Sequence, residues 1–211
     1  MKYSQNNEQE IISNFFNGRI GHYLDIGAFD GVKMSNTLAL AELGWTGTAI
    51  EASPWVFKRL KANYEKRDLT SRVLLIEAAA VPDSYPDQLK FYETHRKNAP
   101  YPGQGVGSFS IEHAHKEMLK NEHICYSEIL ETIVNTIKVK DIFNNNHKFM
   151  SIDVESFNLE LMVSIPWKIL TKLELFCVEA DTAQWRFVNF MKPLGWKLHT
   201  VENFNLFFER S

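Results

Sequence analysis

Tyr23–Gly31 reads YLDIGAFDG, and what lies on either side of it decides the fold. The residues ahead of Asp25 are apolar, as in a buried strand, and Asp25, Gly27, Asp30 and Gly31 mark a tight turn. A helical pattern follows near Ser35–Leu43, with Ser35 as N-cap and Gly44 as its stop. A second buried strand, Thr46–Ile50, then ends on Glu51. Strand, glycine turn, helix and a second strand tipped with a carboxylate make a nucleoside-binding half-site. Glycine is needed in the turn because a Cβ would push a ligand off the backbone or forbid the turn's φ/ψ values. The acid is needed because two adjacent ribose hydroxyls are best held by a carboxylate that accepts from both.

The turn also discriminates between nucleosides. A dinucleotide fingerprint, G-x-G-x-x-G, brings bare backbone amides to a pyrophosphate. Here Asp25 stands at the first glycine position, and Asp30 adds a second acid. Two carboxylates repel a pyrophosphate and attract a sulfonium with its α-ammonium group. D-x-G-x-x-D-G therefore argues for S-adenosylmethionine over NAD. The competing reading makes Asp25 and Asp30 simple turn caps.

Outward from this half-site, strands and helices alternate. Residues 5–17 carry apolar positions Ile11, Ile12, Phe15 and Phe16 at helical spacing. Ser53 and Pro54 form an N-cap and first-turn proline for a helix through Tyr64. Arg72–Ile76 reads as a third buried strand ending at Ala78–Ala80, and Gln88–Glu93 as an extra edge strand. Residues 94–112, rich in Gly, Pro, Ser and His, read as a mobile loop over the site; a polar helix near Ile111–Asn121 and a strand at Thr132–Val139 follow. Lys148–Val154 and Leu173–Val178 are the next strands, ending in Asp153 and Glu155 and in Glu179 and Asp181. Helices are expected near Phe157–Ser164 and Ala183–Met191, and Lys197–Glu202 with Leu206–Glu209 forms a terminal hairpin. The sum is a single α/β domain over 1–211, with an N-terminal helical segment at 1–20 and an acceptor-side insertion at 94–131. Its sheet is open and largely parallel, covered by helices on both faces, with one antiparallel strand from the hairpin.

Composition narrows the function. With 45% hydrophobic and 23% charged residues the chain is an ordinary globular one, and a net charge of −3 gives no basic field for nucleic acid. No apolar run approaches the roughly 20 residues of a membrane span, and MKYSQNNEQEIISNFF lacks the apolar centre of a signal peptide. The expectation is a cytoplasmic protein with no membrane partner. Cys125 and Cys177 are far apart, and Cys177 lies in an apolar run, so disulfide and metal readings of the pair are disfavoured.

In open α/β sheets ligands bind beyond the carboxyl ends of the strands, where strand order reverses. Asp25, Glu51, Ala78–Ala80 and Asp153 all fall at such ends, and the alanines leave room for a flat purine. The chain resembles the FkbM-type S-adenosylmethionine-dependent methyltransferases in Tyr3-Ser4-Gln5, YLDIGAFDG, Ser35-Asn36-Thr37, Gly44-Trp45-Thr46-Gly47, Ile50-Glu51 and Ser151-Ile152-Asp153-Val154-Glu155. The resemblance covers nearly the whole chain. It implies a class I methyltransferase fold, a Rossmann-like three-layer sandwich around a mostly parallel seven-stranded sheet with a C-terminal antiparallel hairpin. It also implies O-methylation of a sugar or other small hydroxylated acceptor. The cofactor contacts expected are Gln5, Asp25, Gly27, Ala28, Asp30, Gly31, Ser35, Asn36, Thr37, Glu51, Ala52, Ser53, Ala79 and Asp153. Two positions depart from the family pattern: Ala52 replaces the usual proline, and Ser156 replaces the glycine after Asp-Val-Glu.

The catalytic candidates are Asp153, to hold the acceptor or the methionine amine, and Glu155, as base or acceptor ligand. Glu155 as a helix cap is the competing reading. His113 and His115, beside the flexible loop, are further candidate bases. Asp153, Glu179 and Asp181 offer oxygen ligands for a divalent cation, against a reading in which Asp181 caps its helix and Glu179 pairs locally; the latter is preferred. Two other functions stay open: a nicotinamide-dependent oxidoreductase, and a cofactor-binding module without chemistry, the latter favoured by Ser156. A nucleic-acid methyltransferase is disfavoured because no Asn-Pro-Pro-Tyr type loop for a flipped base is visible.

Overall fold

The computed structural model describes residues 2–96, 107–120, 126–180 and 183–211. The first half runs α1 (Glu8–Phe16), β1 (His22–Ile26), α2 (Leu38–Glu42), β2 (Thr46–Glu51), α3 (Pro54–Glu65), β3 (Val73–Glu77), β4 (Ala79–Val81) and β5 (Gln88–Arg96). The second runs β6 (Gly107–Ser108), α4 (Ile111–Lys120), β7 (Tyr126–Lys138), α5 (Val139–Ile142), β8 (Phe149–Ile152), α6 (Asn158–Ser164), β9 (Leu175–Glu179), α7 (Gln184–Met191), β10 (Trp196–Glu202) and β11 (Asn205–Arg210). Seven strands form one sheet in the order β10-β11-β9-β8-β1-β2-β3. All its pairings are parallel except those of β11, which runs antiparallel between β9 and β10. This is the expected class I methyltransferase sheet with its C-terminal hairpin.

Period-two alternation sends neighbouring side chains to opposite faces. Tyr23, Phe149, Leu175, Cys177 and Phe207 pack with Ile12 and Phe16 of α1, with Leu38 and Ala41 of α2, and with Leu60 and Tyr64 of α3. Leu24, Ile26, Met150, Ile152, Phe176, Val178 and Phe208 pack on the other side with Leu161 and Met162 of α6 and Phe187 and Met191 of α7. Each such large side chain contributes about 1.5–3 kcal/mol by leaving water, which offsets the cost of ordering three layers. Gly47 lets the layers close: a Cβ there would lie 2.3 Å from the Tyr23 ring.

Local capping follows the sequence. Ser53 Oγ accepts from the Val56 amide at 3.2 Å, with Pro54 in the first turn of α3. Ser35 Oγ accepts from the Thr37 and Leu38 amides at 3.3 and 3.0 Å, although the regular turns of α2 begin only at Leu38. Among the described residues no helix is long and apolar enough to cross a membrane.

Two expectations change. The third strand is only partly buried: β3 is the sheet's edge, with Val73 in the core, Leu75 and Ile76 half-buried, and Leu74 61% exposed. The strands expected at Gln88–Glu93 and Thr132–Val139 fall in β5 and β7, which form a second sheet in the order β4-β7-β5-β6 rather than an extra edge of the first. Strand β5 continues through Arg96 and pairs with β7 along its length, so residues 94–96 and 107–112 belong to strands, a short turn and α4 rather than to a loop. The Gly- and Pro-rich residues 97–106 lie outside the described residues.

Candidate active site

Strand order reverses between β1, which leads to β2, and β8, which leads to β9. A cavity of about 790 Å³ opens beyond the carboxyl ends of β1, β2 and β8, within the range of small-ligand clefts.

Gly27 holds its floor together. The Gly27 and Ala28 amides both donate to the Ile50 carbonyl, at 2.9 and 3.0 Å, and the Asp153 amide donates to the Ile26 carbonyl at 2.9 Å. Gly27 has φ +85°, and a Cβ on it would fall 1.7 Å from the Asp153 carbonyl oxygen. The chain therefore needs glycine where β1 meets β8. Phe29, Met34 and Glu155, three non-glycine residues at the cavity wall, also have positive φ, +51°, +56° and +56°. Such backbone strain gathers at functional sites.

Asp25 is buried, and its Oδ2 accepts from Thr37 Oγ1 at 2.6 Å. Burial raises its pKa to about 6, and the Thr37 bond pulls the other way. Glu51 is clamped by its own turn: Oε1 accepts from the Ser53 amide at 2.8 Å and Oε2 from the Phe29 amide at 3.0 Å. Burial lifts its pKa to about 7 against those bonds, with the Glu93 carboxylate adding to the rise. Asp153 is accessible to solvent through the cavity, and protein atoms crowd its remaining sides. That crowding, followed by the Glu179 carboxylate, holds its pKa well above the usual range.

Of the predicted contacts, Gln5, Asp25, Gly27, Ala28, Asp30, Ser35, Asn36, Glu51, Ala52, Ser53, Ala79 and Asp153 all line this one cavity, as does Glu155. Gln5 arrives because buried Glu8 accepts from the Asn6 amide at 2.7 Å and from Asn205 Nδ2 at 3.1 Å, pinning the N-terminal segment across the sheet. Two predicted residues do not line it. Gly31, at φ +71°, packs against Leu60 and Tyr64, and Thr37 lies beneath the floor, bonded to Asp25. Asp30 serves as a turn cap, its Oδ1 accepting from the Val32 and Lys33 amides at 2.9 and 2.8 Å, while still bordering the cavity.

Thr37→Val leaves an Asp25 oxygen buried without this donor. The expected loss is about 1–3 kcal/mol of stability at pH 8, where Asp25 is ionised, and less at pH 4. Denaturant titration at the two pH values checks this, and equal losses would show that the bond does not serve the charged form.

Among the further candidates, His113 Nε2 lies 3.6 Å from Glu155 Oε2, whereas His115 is exposed and does not border the cavity. Ser156 Oγ lies 3.1 Å from Ser108 Oγ and ties the second sheet to the turn after β8. A smaller hollow of about 200 Å³ adjoins through Glu155 and is bordered by His113, Lys116, Glu179 and Arg186. Asp181 lies outside the described residues, among which no cluster of three or more His, Cys, Asp or Glu side chains is arranged to hold a metal. The sequence reading missed Phe29, Arg59, Phe91, Glu93, Ser108 and Phe109 in the cavity wall. Only Phe29 carried a local signal, its place inside the quoted turn; β5 and β6 bring in Phe91, Glu93 and Ser108 by pairing at a distance.

The sheet order and the cleft at its reversal define the class I methyltransferase fold. No protein-family model matches the sequence, and no curated protein matches it. Solved structures of similar fold include a METTL16 methyltransferase domain, with a TM-score of 0.50, 13% identity, and coverage of 96% of this chain and 64% of that one. Precorrin-6y C5,15-methyltransferase from Geobacter metallireducens GS-15 has a TM-score of 0.53 and 12% identity, over 96% of this chain and 87% of that one. Methyltransferase FkbM from Methylobacillus flagellatus KT has a TM-score of 0.51 and 12% identity, over 90% of this chain and 43% of that one. The chain thus spans under two thirds of the METTL16 domain and under half of the FkbM chain.

Proposed function

We propose that this protein is an S-adenosylmethionine-dependent methyltransferase of the FkbM type, transferring a methyl group to a hydroxyl of a sugar or other small acceptor. One observation carries the reading: Glu51, fixed by two backbone amides at the end of β2, faces the same cavity as Asp25, Gly27 and Asp153. A carboxylate held rigid at that point suits a ribose diol, and the acids around it suit a cation. A pyrophosphate, as in NAD, would meet Asp25, Asp30 and Asp153 at close range, which disfavours the oxidoreductase.

The residues present fit the cofactor. The glycine floor gives close approach, Glu51 would take the ribose, Ala52 and Ala79 would flank the base, and Asp25 with Asp153 would face the methionine ammonium. S-adenosylmethionine, when bound, supplies a methyl group on a sulfonium that leaves as a neutral thioether. Against that electrophile the chain's residues align the acceptor hydroxyl and take its proton. Alignment accounts for roughly 7–11 kcal/mol of barrier and a positioned base for about 10²–10⁴-fold in rate. Glu155 stands at the junction of the cavity and the smaller hollow, with His113 beside it, and is the favoured base.

Affinity should depend on pH. A cationic ligand prefers ionised Asp25 and Glu51, so its affinity rises as pH climbs through about 6 and about 7 and levels near pH 8. The same two acids, whose folded pKa values are raised, stabilise the ligand-free protein in full below about pH 4 and lose that contribution progressively as pH rises to about 6 and about 7. Calorimetric titration with S-adenosylmethionine from pH 5 to pH 8 checks this; an affinity flat across the range would contradict the placement of the cation.

Release of S-adenosylhomocysteine, screened over hydroxylated acceptors with the wild type and with Glu155→Gln, tests the activity. Turnover with at least one acceptor, lowered about 10²-fold or more by E155Q, is expected. Normal cofactor affinity with no turnover on any sugar or other hydroxylated acceptor would instead favour the inactive binding module.

A further inference from the structure

We propose that Lys116 and Arg186 form an anion subsite beside Glu155, so that the preferred acceptor is a hydroxylated compound carrying a carboxylate or phosphate group. The inference rests on the methyltransferase reading and names the acceptor class of that same site. Its ground is the hollow of about 200 Å³ that meets the main cavity at Glu155. Three elements enclose this hollow. His113 and Lys116 stand three residues apart on α4 and so share one face of that helix. Glu155 follows β8, and Arg186 with Phe187 comes from α7. Ser110 Oγ caps α4 by accepting from the His113 amide at 3.1 Å, and the Ser108–Ser156 contact holds β6, just before it, to the turn that carries Glu155.

Charge is sorted across the hollow. Its two acids are engaged toward the main cavity: Glu155 Oε2 lies 3.6 Å from His113 Nε2, and the Glu179 carboxyl hydrogen-bonds that of Asp153. Its two cations are exposed, and neither forms an ion pair among the described residues. A neutral acceptor offers Lys116 and Arg186 nothing that water does not, whereas an anionic oxygen is attracted by both. The sorting also fixes a direction. The hydroxyl to be methylated lies at Glu155, and the anionic group points away from Glu155 and Glu179, toward the two cations. The room suffices, since a hollow of about 200 Å³ holds roughly six water-sized groups, and a carboxylate or a phosphate is no larger than that. Leu159 and Phe187 supply apolar surface for the carbon frame between the two ends.

Turnover of matched acceptor pairs at low salt tests this, with release of S-adenosylhomocysteine as the readout. The pairs are glucuronate against glucose, galacturonate against galactose, 4-hydroxybenzoate against 4-hydroxybenzamide, and glucose 6-phosphate against glucose. The carboxylate and phosphate pairs separate the two sources of anionic oxygen. In at least one pair, kcat/KM for the anionic member is expected to exceed that of its neutral counterpart about 10-fold or more. Arg186→Gln and Lys116→Gln should each cut that ratio about threefold or more, through KM rather than kcat. Equal or slower turnover of the anionic member in every pair overturns the assignment and leaves the methyltransferase standing. A preference that survives undiminished in both folded variants overturns it too. Turnover of no pair removes the methyl-transfer reading and this subsite together.

Discussion

Gly27→Ala is expected to abolish nucleoside binding and to lower stability by about 3–5 kcal/mol. Two effects add. The residue sits at φ +85°, where an L side chain is strained by roughly 1–2 kcal/mol. The new Cβ would also overlap the Asp153 carbonyl oxygen at 1.7 Å, and that atom is backbone, so β1 and β8 must move apart. Separation there breaks the Asp153 amide bond to the Ile26 carbonyl and displaces the cavity floor. Denaturant titration at 25 °C with parallel calorimetry measures both consequences. A loss below about 1 kcal/mol with binding retained would mean that the two strands do not meet as tightly as described.

Glu51→Ala is expected to weaken S-adenosylhomocysteine binding by about 100-fold or more while changing stability by no more than about 1–2 kcal/mol. The affinity figure follows from losing two hydrogen bonds to a charged acceptor, each contributing about 1.5–3 kcal/mol. The stability figure is smaller because the substitution acts in two directions. It frees the Phe29 and Ser53 amides, and it removes an acid whose pKa burial has lifted to about 7. Affinity within threefold of the wild type would place the ribose elsewhere.

The parts of the fold legible in the sequence are those set by short-range chemistry. Ser53-Pro54 announces the start of α3 because a side-chain cap and a fixed φ act within one turn. The quoted turn announces the end of β1 because only glycine adopts the conformation found at Gly27 and Gly31 without strain. The C-terminal hairpin was equally readable, its strands alternating around a two-residue turn. The second sheet was not. Strands β5 and β7 carry charges on their open face, such as Lys90 and Glu131 in a 2.9 Å pair, so each alone resembles polar loop or weak edge. Their pairing is non-local, and a local pattern does not encode it. The same limit hid Phe91 and Glu93, whose place in the cavity depends on that sheet. Thr37, which the family resemblance places near the cofactor, donates its hydroxyl to Asp25 and does not line the cavity, a partnership that no local pattern encodes. Asp30 shows the converse, since its one side chain both caps the turn and lines the cavity.

A crystal structure of the full chain with S-adenosylhomocysteine bears most directly on the central claim. Expected is the ribose diol within hydrogen-bond distance of the Glu51 carboxylate, in the cleft beyond the carboxyl ends of β1, β2 and β8, with the methionine ammonium toward Asp25 and Asp153. Ligand density outside that cleft, or inside it with Glu51 turned away from the sugar, would contradict the claim.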